Sequence, residues 1–431
     1  MASRDLRADA RAILSAGLAA VEPGAAIRRH LRREGSRLLL PRESALDLPD
    51  GPCVVAVAVG KAATAMALAL EEILGDRLDR GLIVRPHGQE GRLRSLPILE
   101  AAHPLPDEAG LQASAALGAL LDGCDRGTLL VAAISGGASS LLPAPPPGLH
   151  LEELRRTGDL LLRSGAGIRE INAVRGHLSC LGAGGAAARA GGATILSLVL
   201  SDVPGDDPSV VGGGPFAPDP SLFRDAWQVL DDRGLLEALP GAVREHLAAG
   251  LRGERPETPK PGAACFRRAR TLVVGSCGLA LRACRGAAEA LGYAVLEPAV
   301  GPSMSAEALG RHHAELARRL ASGRGPVPVP ACILTGGEPP VQVRGSGRGG
   351  RCQHLALAAA EGLAGLDGAL LLAAATDGRD GSTDAAGAFA DGGSMARAAA
   401  LGLDVRAALG ACDSHRIFSA LGDLLVTGPS G

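Results

Sequence analysis

Aromatic side chains are almost missing from this chain: its 431 residues include one Trp, one Tyr and five Phe. Single-stranded nucleic acids are gripped by stacking rings set in a basic groove. Here 44 basic residues stand against 46 acidic ones, a formal net charge of −2, so no nucleic-acid partner is expected. Long unbroken hydrophobic runs are also missing. Although 46% of residues are hydrophobic, charge, Gly or Pro interrupts every stretch approaching the roughly 18 residues a membrane span needs, and no membrane partner is expected. The start, MASRDLRADARAILSAG, has no basic segment leading into an apolar core and does not read as a secretory signal.

Paired cysteine spacing is missing as well. Nine cysteines are scattered with no C-x-x-C, which reads as reduced thiols and a cytoplasmic location. Lysine is the scarcest charged residue, with only Lys61 and Lys260 beside 42 arginines. Where arginine is used so freely, a retained lysine marks a position suited to a compact ammonium on a flexible stem.

What is present is glycine at the ends of short aliphatic runs. Thr194–Leu200 (TILSLVL) suits a strand buried on both faces of a parallel sheet, and it opens into SDVPGDDPSVVGGGPFAPDP, residues 201–220. Ligands of open α/β sheets bind outside the carboxyl ends of strands. Asp202, Asp206 and Asp207 fall there, followed by Gly212, Gly213 and Gly214, whose bare backbone can approach an anion. Taken singly, each Asp could equally be a turn residue; together they point to a phosphate or Mg²⁺ site.

The same grammar recurs along the chain. Residues 5–22 and 25–34 read as helices. Cys53–Val59 reads as a strand ending at Gly60-Lys61 before a helix to about Leu74, without the G-x-x-x-x-G-K-[ST] of a P-loop. Lys61 is thus expected at a helix N-terminus beside free N–H groups, a place for phosphate or carboxylate. HPLPDEAG (103–110) supplies Asp107 as a helix cap, with His103 either structural or functional. Thr128–Ile134 feeds the small turn Ser135-Gly136-Gly137-Ala138-Ser139, which lacks the G-x-S-x-G of a nucleophile elbow and suits an anion cradle.

RGERPETPKPG (252–262) reads as a linker, and two domains are expected from the length. Beyond it lie strands at 271–274, 293–297 and 331–335, a short strand PVQVR (340–344), and a Gly-rich turn in which Arg348 and Arg351 begin a helix, an arrangement suited to clamping an anion. A strand at 369–375 empties into a second acidic loop with Asp377, Asp380, Asp384 and Asp391.

Several ordered segments together resemble the glycerate 2-kinase family whose carboxyl-terminal domain is called MOFRL, also known under the name hydroxypyruvate reductase. They are VGKAATAM (59–66), HPLPDEAG (103–110), ISGGASSLL (134–142), SDVPGDDPSVVGGGPFAPDPS (201–221), TGGEPPVQV (335–343), GRGGRCQHLALA (347–358), ATDGRDGSTDAAGAFAD (375–391) and LGDLLVTGPSG (421–431). The resemblance implies an α/β fold of two domains. These are an N-terminal Rossmann-like αβα sandwich with a mostly parallel sheet (1–250) and a C-terminal MOFRL-type α/β domain (263–431), with the site in the cleft between them. It implies transfer of phosphate from ATP to the 2-hydroxyl of D-glycerate, giving 2-phosphoglycerate, with Mg²⁺.

On that resemblance Lys61, Arg351 and Asp202 are the catalytic group. Ser135, Gly136, Gly137, Ser139, Gly337, Glu338, Arg348 and Asp377 bind substrate or nucleotide, and Asp206 and Asp207 hold metal. Departures from the family's pattern are Gly176 and Gly182 in place of lysines, Cys352 and His354 in place of Asn and Glu, and Cys412 and His415 near the end. They leave open an altered hydroxy-acid substrate or binding without turnover. A hydroxypyruvate reductase is a further alternative, though no good dinucleotide fingerprint is present. A homodimer stays open.

Overall fold

The computed structural model describes residues 4–51, 53–299 and 304–428, so the last three residues of the LGDLLVTGPSG segment lie outside it. The chain forms two compact units, one of residues 23–276 and one of residues 1–22 with 277–431.

The first unit is built on a six-stranded, wholly parallel sheet. Across it the strands run Ile98–Ala101, Arg80–Pro86, Val54–Val59, Leu129–Ile134, Thr194–Leu200 and Ala269–Gly275. Alternate side chains of each strand face opposite sides. Val54, Ala56 and Ala58 pack with helix Ala63–Leu74 in one apolar layer, while Val55, Val57 and Val59 pack with helix Glu108–Asp122 in the other. The expected αβα sandwich is therefore present. Strand order reverses between Val54–Val59 and Leu129–Ile134, which makes the carboxyl ends of those two strands the topological switch point.

Three features differ from the sequence reading. Helix Pro23–His30 ends before Arg32, and Arg32–Glu34, Arg37–Leu40 and Ser44–Asp47 form a small antiparallel sheet that alternation over so few residues did not reveal. The segment 252–262 is not a loose tether. Glu257 receives the Phe223 N–H at 3.1 Å and contacts His177 at 3.0 Å, while Pro259 accepts the Asp219 N–H at 2.9 Å. Strand Ala269–Gly275 then pairs with Thr194–Leu200, so the first unit continues to Ser276 instead of ending near residue 250.

The second unit begins with the N-terminal helix Leu6–Val21, which belongs with the carboxyl-terminal residues. Its Ala10 and Leu14 cover Phe389 and Leu425, and Arg7 bonds Asp391 and Asp423 at 2.9 and 2.7 Å. Ala294–Leu296 and Ala331–Ile333 pair in parallel. Leu370–Ala374, Gly387–Asp391 and Leu424–Leu425 form an antiparallel sheet. Residues 340–344 are not a strand; Val343 and its neighbours run exposed in an irregular segment.

Candidate active site

At the switch point, the backbone of one turn closes onto the next. Gly60 adopts φ 126°, and a Cβ there would lie 2.2 Å from Ser135 Oγ, so only glycine lets the two turns meet. The Lys61 N–H donates to the Gly136 carbonyl at 2.9 Å and the Ala62 N–H to Ser135 Oγ at 3.1 Å. The expected free N–H groups beside Lys61 are thus engaged within the protein. What remains is the Lys61 ammonium, which has no ion-pair or hydrogen-bond partner among the described residues.

Two further groups converge on it. Gly137, at φ 87°, leaves room for the His103 ring, which would stand 2.9 Å from a Cβ at that position, with the Lys61 stem 3.5 Å away. Burial, then the charges of Lys61 and Arg175, hold His103 below its ordinary pKa, so it is a neutral proton acceptor at pH 7. Asp202 packs against Gly136, its Oδ2 occupying the space 1.9 Å from where a Cβ would be. Lys61, His103 and Asp202 are therefore gathered around one glycine turn: a cation, a neutral imidazole and an exposed carboxylate.

The acidic loop divides its labour. Asp206 sits at φ 53° in a tight turn. Asp207 accepts from Arg169 at 2.9 Å and from the Ser209 N–H and hydroxyl at 3.0 and 2.7 Å. Burial raises its pKa, but the Ser209 bonds and Arg169 outweigh this and hold it below the usual carboxylate range. Such a carboxylate braces the loop and does not fit the metal role expected of it. Gly212, Gly213 and Gly214 all have positive φ, and the N–H groups of Gly213 and Gly214 bond Val210 and Val211 within the turn. Gly212 and Gly213 serve close packing against Ala138 and Ser139, and Gly214 packs against the Ser209 backbone. Among the described residues no group of three or more His, Cys, Asp or Glu is arranged around a metal position.

One residue was missed in the sequence. Arg175, on helix Ile168–His177, lines a cavity beside Ser139 and lies close enough to His103 to depress its pKa. Its only signal was an arginine among Ile171, Val174 and Leu178, which otherwise pack into the core. The departure at Gly176 has a local counterpart. A Cβ there would be 2.9 Å from Ala183 and 3.7 Å from Asp219. Asp219 already has the other lysine, Lys260, at 3.9 Å, with the Thr258 hydroxyl bonded at 2.6 Å.

In the second unit, helix Arg351–Leu363 begins at the Gly-rich turn as expected, but its N-terminus is filled. Asp380 accepts from the Cys352 and Gln353 N–H groups at 3.0 and 2.7 Å, while the Arg348 N–H donates to Asp413 at 3.0 Å. Anion binding by free backbone there is excluded by this internal cap. Arg351 is exposed and paired at 3.1 Å only with exposed Glu338 among the described residues. Gly337, Arg348 and Asp377 are exposed too, with Asp377 turning back to accept the Arg379 N–H at 3.1 Å. Burial, then Asp380, pushes the Cys352 thiol far up. Buried His354 and part-buried Cys412 line a cleft of about 480 Å³ with Arg344, and His415 contacts Gln353 at 3.1 Å.

Comparison with known proteins decides the family. Residues 9–248 match a domain of unknown function, DUF4147, and residues 331–431 match the MOFRL family. A D-glycerate 2-kinase of Thermotoga maritima is 37% identical over 88% of this chain and 88% of its own length. The chain belongs to the glycerate 2-kinase family. The crystal structure of a glycerate kinase from Thermotoga maritima superposes with a TM-score of 0.84 at 34% identity, covering 99% of this chain and 96% of that one. An Agrobacterium vitis relative, 39% identical over 89% of this chain and 85% of its own, is provisionally named a hydroxypyruvate reductase. In this chain the switch-point lysine, the glycine turn and Asp202 of the acidic loop come together around one turn.

Proposed function

We propose that this chain phosphorylates D-glycerate at its 2-hydroxyl, taking the γ-phosphoryl group of ATP and releasing 2-phosphoglycerate. The observation that carries this reading is the Lys61 ammonium at the switch point, unpaired among the described residues and set beside Asp202 and neutral His103. Phosphoryl transfer asks a protein mainly for positioning and for cations on the charged oxygens. Lys61 supplies one such cation. In the second unit, the exposed pairing of Arg351 with Glu338 is weak enough to yield to an anion. Asp202 takes the proton of the attacking hydroxyl, with His103 as the neighbouring acceptor.

Magnesium, when bound, neutralises charge on the phosphate oxygens and is held by few protein carboxylates. With Asp202 given to the hydroxyl proton, Asp206 is the loop carboxylate left for it; Asp207 is held by Arg169 and Ser209. Gly137 and Ser139 contact substrate or nucleotide, while Ser135 and Gly136 hold the turn in shape. Gly337, Glu338, Arg348 and Asp377 serve the nucleotide or substrate as exposed polar positions. The reading includes a cytoplasmic setting, where nine free thiols stay reduced. Its test is ADP release coupled to D-glycerate, with lactate, tartronate and hydroxypyruvate compared. Glycerate-dependent turnover with Mg²⁺-ATP is expected. Its absence, with NADH oxidation by hydroxypyruvate instead, would favour a reductase.

A further inference from the structure

The cavity beside Ser139 measures about 80 Å³ and is walled by Leu142, Ile171, Leu178 and Leu181. Most polar groups on its lining already have partners. Asn172 donates to the Val210 carbonyl at 2.9 Å, Thr157 to the Glu153 carbonyl at 2.7 Å and Arg155 to the Pro106 carbonyl at 2.6 Å. Ser179 Oγ accepts the Gly182 N–H at 2.9 Å. Arg175 is the exception. Among the described residues its guanidinium has no carboxylate or carbonyl partner, although burial depresses its pKa. A part-buried guanidinium without a counter-charge is costly, and an anion arriving in the cavity relieves that cost. A planar fork of donors matches a carboxylate in two-point geometry.

We propose that Arg175 anchors the carboxylate of the phosphoryl acceptor, and that the cavity beside it limits that acceptor to a short 2-hydroxy acid. The inference rests on the kinase reading above and refines it, leaving Lys61 for phosphate oxygens. The cavity holds the equivalent of roughly five to eight ordered waters, the scale of a three-carbon acid. A nucleotide needs several hundred Å³ and is excluded. The other cation on the lining, Arg155, is already engaged by the Pro106 carbonyl and Glu152, so the charged end is drawn to Arg175 and the hydroxyl is left toward Ser139, His103 and Lys61.

The test compares D-glycerate, its uncharged amide and the six-carbon gluconate in wild type, Arg175→Met and Arg175→Lys, with circular dichroism to verify folding. Wild type should prefer acid over amide by about 30-fold or more, as for a charged hydrogen bond, and should not turn over gluconate. Arg175→Met should raise KM for glycerate by a similar factor, erase the acid-over-amide preference and leave KM for ATP unchanged. Arg175→Lys should restore part of it. An unchanged acid-over-amide preference in Arg175→Met, or efficient use of gluconate by wild type, would overturn the proposal. If wild type shows no glycerate turnover, the kinase reading fails separately. Calorimetry then decides the anchor: glycerate binding lost in Arg175→Met upholds it, whereas equal binding, or none by either protein, overturns it. Should Arg175→Met not fold, the wild-type acid-over-amide ratio and the Arg175→Lys KM decide the question in the same way.

Discussion

The carboxylate of Asp202 fills the space that a side chain on Gly136 would need, with Oδ2 1.9 Å from the position of a Cβ. Gly136 is not among the residues with positive φ, so its backbone would tolerate alanine and the cost falls on Asp202. Gly136→Ala should therefore displace the carboxylate while lowering stability by only about 1–2 kcal/mol. Activity should fall about 100-fold, as it should in Asp202→Ala. Residues acting through one group are not additive, so the double variant should be little worse than either single one. Steady-state rates beside urea titrations check this; full additivity would separate the two residues.

A second relationship sets the stability of the carboxyl-terminal unit. Asp423, 3% exposed, accepts from Arg7 at 2.7 Å and from Arg397 at 2.5 Å, and Asp391 bonds the same two arginines. Asp423→Ala leaves Arg7 and Arg397 more than a third exposed and still bonded to Asp391, so losing the buried carboxylate's bonds should cost about 1–2 kcal/mol. Calorimetric unfolding should show it. Burial raises the pKa of Asp391, but Arg397 and Arg7 outweigh this and bring it to about 2. Its contribution is present above about pH 4 and fades as pH falls toward 2.

His313 makes a second pH prediction of the same sign, in a higher pH window. Burial, then His312, pushes its pKa down to about 4, while Nε2 contacts the Thr335 hydroxyl at 2.9 Å and Nδ1 has no partner among the described residues. Between pH 6.5 and 4 the unfolded chain binds a proton that the folded chain refuses. Stability is full above about 6.5 and is lost progressively as pH falls toward 4, by up to roughly 3 kcal/mol. His313→Gln should flatten that slope in denaturant titrations across this range. An unchanged slope would mean the histidine is not held neutral.

Strands such as Val54–Val59 and Thr194–Leu200 were legible because full burial on both faces demands continuous aliphatic runs. Lys61, Asp202 and the Ser135–Ser139 turn were legible as loop chemistry at strand ends. Their mutual arrangement was not, since it depends on which strands neighbour each other. The same limit hid the pairing of Ala269–Gly275 with Thr194–Leu200 and the return of helix Leu6–Val21 to the carboxyl-terminal unit. Asp380 read as a ligand-loop acid because capping a helix 28 residues earlier leaves no local pattern. Arg175 was hidden by its apolar helix.

The central claim is that Lys61 at the switch point serves phosphoryl transfer to D-glycerate. Phosphorus NMR of reactions with D-glycerate and Mg²⁺-ATP, run with wild type and Lys61→Met, tests it most directly. Wild type should yield 2-phosphoglycerate, and Lys61→Met should do so at a rate at least about 1,000-fold lower, with the fold intact. Undiminished turnover by Lys61→Met, or no phosphoglycerate from wild type, would contradict it.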